Sequence, residues 1–263
     1  MSPAPGDDAR VRTPAELFDL TGKVALVTGG SRGLGEQMAR AFAAAGADVV
    51  IASRKLENCE RVATEIEKAT GRSALPYSCH VGRWDELPGL VDATYDHFGH
   101  LDVLVNNAGM SPVYPDLGSV SEQLFDSVVN LNLKGPFRLC ALAGPRMVAD
   151  RGGSIVNVSS TGSIRPNEAI IPYAAAKAGL NTMTAALAGA LGPTVRVNCL
   201  MAGPFLTDAA AGWDMEGFEK GARSHALQRI GAPDEIVGAA LYLASDASSY
   251  TSGATLRVDG GIP

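Results

Sequence analysis

Short runs of β-branched and aliphatic residues alternate along the chain with longer stretches whose apolar positions recur every three to four residues. The apolar runs at 24–28, 48–53, 73–79, 102–106, 154–160, 195–200 and 255–258 read as buried strands. The periodic stretches at 33–45, 56–70, 84–98, 173–189 and 233–244 read as helices. A longer helical stretch at 121–150 is expected to bend near Gly135-Pro136 and Gly144-Pro145. Alternation of this kind implies a parallel sheet covered on both faces by helical crossovers, an α/β doubly wound arrangement. After Leu200 the rhythm breaks, and 201–224 reads as an irregular connection holding one short helix near 215–223. Residues 1–20 read as a flexible leader with a short turn around 14–18, and 21–263 as the folded unit. No linker or repeat divides it, so one domain is expected.

Composition narrows the function classes. With 263 residues, 46% of them hydrophobic and 19% charged, the chain can bury a full core and is not a disordered polymer. A formal net charge of −6 with scattered basic residues excludes a nucleic-acid surface, which needs excess cations. Cys59, Cys79, Cys140 and Cys199 form no Cys-x-x-Cys pair and read as reduced thiols. The four histidines, His80, His97, His100 and His225, show no metal-ligand spacing, so no metal is expected. Residues 178–195 lack charge but contain Asn181, Pro193, threonines and glycines, a poor membrane span. The first 19 residues lack a signal-peptide core. A soluble cytoplasmic protein is the expectation.

The turn after the first strand, Thr28-Gly-Gly-Ser-Arg-Gly-Leu-Gly35, opens a helix. Glycines there permit positive φ and close backbone approach, and free N–H groups at a helix start suit a pyrophosphate. Gly29, Ser31, Arg32, Gly33, Leu34 and Gly35 are therefore candidate dinucleotide contacts, in a Rossmann-type sheet whose ligands sit at the carboxyl ends of the strands. The second strand ends in Ser53-Arg54-Lys55, where an NAD site would carry an acidic residue for the ribose. Arg54 and Arg32 in its place suit a 2′-phosphate, so NADP(H) is the preferred cofactor and NAD(H) the alternative.

Tyr173 and Lys177 stand four apart in an Ala-rich helical stretch and so share a face. An ammonium beside a phenol favours phenolate and pulls its pKa down from about 10, giving a proton donor and acceptor near neutrality. Ser160, at the end of the fifth strand, is placed to hydrogen-bond the same substrate oxygen.

Together these stretches resemble the short-chain dehydrogenases/reductases from about Leu20 to Ile262. The resemblance rests on the phosphate turn, Asn106-Asn-Ala-Gly109, Asn132-Leu-Lys-Gly135, Ser160, Tyr173-Ala-Ala-Ala-Lys177 and Val258-Asp-Gly-Gly261. It is nearest to members of the 3-oxoacyl-carrier-protein reductase and carbonyl reductase types. The resemblance implies Tyr173 as acid/base, Lys177 holding the nicotinamide ribose, Ser160 on the substrate oxygen and Asn132 anchoring a relay water. It also implies that Asn107, Ala108, Gly109, Val81, Phe205 and Thr207 line the cofactor, and that the chain forms homotetramers. In two places the chain departs from the pattern. His80 stands where many members carry an acid facing adenine, and is either a neutral donor there or a surface side chain. Met201-Ala-Gly-Pro204 replaces a Pro-Gly step and leaves the Phe205 contact open.

The leading expectation is thus an NADP(H)-dependent enzyme interconverting a carbonyl and a secondary alcohol of a small molecule. An NAD-dependent alcohol dehydrogenase is the second reading, and a catalytically silent nucleotide sensor the third. Specificity is expected from 111–117, 164–171 and 205–223, where Pro112, Tyr114, Ile170, Ile171, Trp213, Met215 and Phe218 suit an apolar or part-apolar substrate.

Overall fold

The strands pair in parallel because their side chains are apolar on both faces, so each face needs a layer of helices over it. In the computed structural model, which describes residues 11–207 and 215–263, the strands are β1 Val24–Thr28, β2 Asp48–Ser53, β3 Ala74–Ser78, β4 Val103–Asn106, β5 Gly153–Ser160, β6 Val195–Ala202 and β7 Thr255–Val258. Their order across one sheet is β3-β2-β1-β4-β5-β6-β7, every pairing parallel. The chain thus works outward from β1 in one direction and then from β4 in the other, which opens a crevice where the order reverses.

Side chains alternate between two cores, as a two-residue period requires. Ala25 and Val27 of β1, with Val49 and Ile51 of β2, face α2 (Gly33–Ala44), α3 (Leu56–Thr70) and α9 (Val237–Ala244). Their neighbours Val24, Leu26, Val50 and Ala52 face α4 (Leu87–Phe98), α6 (Gly135–Ala149) and α7 (Ile171–Leu191). The two-sided sandwich is the doubly wound single domain the alternation predicts.

The stretch at 121–150 is not one bent helix. α5 (Glu122–Val129) enters a π-helical turn, Asn130–Lys134, before α6 begins. A Cβ on Gly135 would lie 2.2 Å from the carbonyl oxygen of Val81, so the helix crosses the post-β3 segment with no room for a side chain. Asn132 inside the turn is fully buried and donates to the Val128 carbonyl at 3.0 Å. Pro145 is accommodated within α6, which runs on to Ala149. β6 is two residues longer than expected, and the stretch 233–244 divides into a 3₁₀ turn, Pro233–Ile236, and α9.

Residues 1–10 of the expected leader lie outside the described residues. Beyond them, α1 (Pro14–Phe18) is a single capped turn in which Thr13 and Glu16 bond each other's backbone N–H. Leu20 is buried in the first core. α8 (Met215–Ala222) forms where the short helix was expected. No helix among the described residues is long and apolar enough to cross a membrane.

Candidate active site

A cleft of about 1340 Å³ lies over the carboxyl ends of the strands. Its floor is set by Thr28, the last residue of β1. Its buried hydroxyl donates to the Val105 carbonyl at 3.1 Å and accepts the N–H groups of Asn107 and Ala108 at 3.0 and 3.1 Å. The Asn107 amide donates to the carbonyls of Thr28 and Gly29. Gly29 has φ +65°, and a Cβ there would stand 2.9 Å from that amide. Arg32 caps α2 without a side-chain bond, leaving the first-turn N–H groups free for an anion.

Gly29, Ser31, Arg32, Gly33 and Leu34 line the cleft. Gly35 does not: a Cβ on it would meet the Gly29 carbonyl oxygen at 2.2 Å, so this glycine lets α2 pack onto the turn. At the β2 end, Ser53 and Arg54 line the same cleft, joined by Lys55 and Asn58, which the sequence reading did not single out. The Ser31 hydroxyl donates to that of Ser53 at 2.8 Å, fixing the turn against the strand. Nearby, Arg40 and Arg61 are occupied by Glu36 and Glu65. The guanidinium groups of Arg32 and Arg54 have no such partner among the described residues. No Asp or Glu lines the cleft among the described residues, although the chain carries a net charge of −6.

His80 is turned to another task. Its Nδ1 accepts the Gly82 N–H at 3.1 Å and its own N–H donates to Glu86 at 2.7 Å, and it does not line the cleft. Cys79 and Val81 on either side of it do. Burial pushes the Cys79 thiol up to about 12.

Ser160 ends β5, and Tyr173 and Lys177 lie on α7 one turn apart; all three line the cleft. Asn167 caps the short turn that leads into α7, and Pro172 follows in its first turn. Farther along, α7 is held to the sheet by a buried chain: Asn106 donates to Asn157 at 2.8 Å and Asn157 to Thr184 at 2.9 Å. The Lys177 ammonium is buried, donates to the Val158 carbonyl at 2.7 Å and lies 5.8 Å from the Tyr173 ring centre. Asn132 lies beneath rather than in the cleft. Its side chain accepts the Met110 N–H at 3.3 Å and donates to the Met110 carbonyl at 2.9 Å. A Cβ on Gly109 would meet Asn132 Oδ1 at 2.8 Å and Lys177 Nζ at 3.6 Å, so the three converge.

Electrostatics at this pair differ from the expectation of a phenolate drawn down by lysine. Burial pushes the Tyr173 phenol up, and the Ser160 hydrogen bond pulls it partly back. Burial also lowers Lys177 to about 8. Desolvation is the largest influence on both groups, which favours a neutral phenol and a readily deprotonated amine.

Phe205 and Thr207 form the far wall. Phe205 is buried against Gly231, and Thr207 lies over the phosphate turn, 3.5 Å from where a Gly33 Cβ would stand. Asn107, Ala108, Gly109, Phe205 and Thr207 all line the cleft. Of the expected specificity residues, Ile170 lines it, while the Tyr114 hydroxyl instead donates to Glu168 O and accepts the Ile171 N–H, pinning the 164–171 loop. Trp213 and the side chains of Met215 and Phe218 lie outside the described residues. Arg165 of the expected 164–171 stretch lines the cleft too, and His225 and Ile262 line it without having been anticipated.

Known proteins share this fold. Residues 29–263 match a family model described as enoyl-(acyl carrier protein) reductase. A 3-oxoacyl-[acyl-carrier-protein] reductase of Thermotoga maritima is 38% identical over 249 residues, 92% of this chain and 98% of its own. The crystal structure of a 3-oxoacyl (acyl-carrier-protein) reductase from Agrobacterium tumefaciens, with NADP bound, matches with TM-score 0.90 at 30% identity, covering 97% of this chain and 100% of that one. A 7α-hydroxysteroid dehydrogenase complexed with NADH and 7-oxo glycochenodeoxycholic acid matches with TM-score 0.90 at 32% identity, covering 95% and 98%. With the glycine turn, the Ser160, Tyr173 and Lys177 constellation and these relatives in agreement, the chain belongs to the short-chain dehydrogenase/reductase family, oxidoreductases that act on CH–OH groups with a nicotinamide cofactor.

Proposed function

We propose that the protein is an NADP(H)-dependent oxidoreductase that interconverts a carbonyl and a secondary alcohol, with Tyr173 as the acid/base. One observation carries this reading: a single cleft holds Ser160, Tyr173 and Lys177 at one end and Arg32 and Arg54 at the other, with no carboxylate beside them among the described residues. A bound nicotinamide supplies or accepts the hydride. The residues present do the rest. The first-turn N–H groups of α2 and the Gly29 turn suit the pyrophosphate. Arg32 and Arg54 suit a 2′-phosphate, which an acidic residue after β2 would repel. The NADH-bound hydroxysteroid dehydrogenase keeps the NAD-dependent alcohol dehydrogenase as the second reading.

In the direction of reduction, Ser160 donates a hydrogen bond to the substrate oxygen and the neutral Tyr173 phenol delivers the proton. In oxidation, the same phenol oxygen takes the proton back. Lys177, near pKa 8, takes and returns protons close to neutrality and is held on Val158 O. Asn132 is a positioning residue that fixes Met110 and packs against Gly109 beside Lys177. Four buried thiols fit a reducing, cytoplasmic setting. The apolar residues Phe125, Phe137 and Val148, exposed on α5 and α6, fit burial in a homotetramer.

Tyr173→Phe should lower kcat for ketone reduction by about 10²–10⁴-fold with little change in cofactor affinity; turnover near the wild-type rate would remove the assigned acid. Arg54→Asp should weaken NADPH binding by about tenfold or more while leaving NADH nearly unaffected, and equal losses for both would refute the phosphate contact. The native pKa of Lys177, about 8, lies below its ordinary 10.5, so between these values the unfolded chain holds more protons and stability rises with pH. The cost of burying the charge is therefore complete below about pH 8, on the order of 3 kcal/mol, and relieved toward 10.5. Urea titrations should show wild type gaining on Lys177→Met across that window; parallel pH curves would mean that Lys177 is not desolvated as described. Sedimentation velocity at micromolar concentration should give a tetramer, and a monomer would dismiss the assembly.

A further inference from the structure

Beyond the residues assigned to the cofactor, the cleft is lined by Arg165, Asn167, Ala169 and Ile170 of one loop and by Ser224 and His225 of another. Residues 260–263 link the two loops, and each of these four residues accepts a hydrogen bond on its carbonyl oxygen. The Leu227 N–H donates to Gly260 at 2.9 Å and the Ala226 N–H to Gly261 at 3.0 Å. Arg257 Nη2 donates to Ile262 at 2.8 Å, and Arg165 Nε to an oxygen of Pro263, the last residue of the sequence, at 2.6 Å. Arg165 is itself tied next to Ser160, its backbone N–H donating to the Thr161 carbonyl at 2.8 Å. Toward Ala226 the segment has no slack. Gly260 and Gly261 have φ +68° and +76°, and a Cβ on Gly261 would stand 2.6 Å from that of Ala226. Of the four linking residues only Ile262 lines the cleft, where it joins the apolar Val113 and Ile170.

We infer that Ile262 sets the longest apolar chain that the substrate can carry on its carbonyl, with residues 260–263 as its rigid mount. The substrate class is then a ketone with an uncharged, apolar substituent of limited length. Given Ser160 and Tyr173 as the carbonyl site, on which this rests, Ile170 stands beside the reacting oxygen. A Cβ on Gly162 would lie 3.4 Å from Ser160 Oγ, 3.7 Å from Tyr173 Cε1 and 2.9 Å from Ile170 Cδ1, so the three surround one point. An apolar substituent that leaves this point along Ile170 is rewarded by each methylene it buries until it meets Ile262. A loose wall would give way to a longer chain. This one cannot retreat without breaking its bonds to Leu227, Ala226, Arg257 and Arg165 together. Arg165 is spent on Pro263, so it acts as a positioning residue for the mount and supplies no free charge for the substrate.

The test is reduction of butan-2-one, hexan-2-one, octan-2-one and decan-2-one by the full-length protein with saturating NADPH. For wild type, kcat/KM should rise with chain length and then fall once the chain meets Ile262. Ile262→Ala should move the optimum to a longer ketone, with a gain of at least about tenfold for the first one that wild type rejects. Ile262→Phe should move it to a shorter one, and butan-2-one should stay within about twofold in both variants. A residue that only supported the fold would lower all the ketones together. Arg165→Met removes the bond to Pro263 and should broaden the profile as Ile262→Ala does, yet change nothing further in the Ile262→Ala background, because it acts through Ile262. A wild-type profile that still rises at decan-2-one, or an optimum that stays in place in both Ile262 variants, overturns the inference. An Arg165→Met effect that adds in full to Ile262→Ala overturns the mount. Those outcomes leave the carbonyl assignment standing, whereas no reduction of any of the ketones by wild type, with NADPH or NADH, defeats that assignment and the length limit with it.

Discussion

The site depends on the Thr28 hydroxyl. Where the strand order reverses, the chain leaves β1 toward one helical layer and leaves β4 toward the other, so adjacent strand ends diverge and their backbone groups lose ladder partners. Thr28 restores those bonds, giving one to Val105 and taking two from Asn107 and Ala108. An unpaired buried polar group costs about 1–3 kcal/mol, so this one side chain stabilises the open mouth of the sheet. Gly29 and Asn107 then approach closely enough that a Cβ on Gly29 would meet the Asn107 amide at 2.9 Å, and two further hydrogen bonds tie Asn107 to the turn.

From that floor the same logic passes along the sheet. Asn106, Asn157 and Thr184 connect β4 and β5 to α7, and α7 carries both Tyr173 and Lys177. Satisfied polar chains of this kind fix a single arrangement because any slip leaves a buried group unpaired. Lys177 uses the rigidity differently. Its ammonium sits in a place that burial makes unfavourable, with one carbonyl as recorded partner, and its pKa falls to about 8 as a result. Stability is given up at the residue proposed to exchange protons. Complementary charge governs the rest of the cleft, where an acidic protein presents cations and no carboxylates among its described lining residues.

Much of this was legible in the amino-acid sequence, for identifiable reasons. Fully buried parallel strands leave unmistakable runs such as Val49-Val50-Ile51-Ala52, and the glycine turn, the second-strand arginine and the Tyr173–Lys177 spacing are local patterns. What escaped is non-local. The π-helical turn at Asn130–Lys134 ends at Gly135, which packs on Val81, a residue far away in sequence. Gly35 looks like a phosphate contact, yet its role is to let α2 meet Gly29. His80 spends its ring on the Gly82 N–H, and Tyr114 spends its hydroxyl on the 164–171 loop. The expected fall in the Tyr173 pKa failed because four-residue spacing reveals proximity but not desolvation. His225 lines the cleft beside a segment that backbone hydrogen bonds from Ala226 and Leu227 tie to Gly261 and Gly260, a pairing no local pattern announces.

One cleft is proposed to bind a nicotinamide dinucleotide, with its phosphate end met by Arg32 and Arg54. Fluorescence titration of the wild-type protein with NADPH and, separately, with NADH tests it most directly. Saturable binding of both, with NADPH the tighter, is the predicted result. Tighter binding of NADH would contradict the phosphate assignment, and binding of neither would contradict the site.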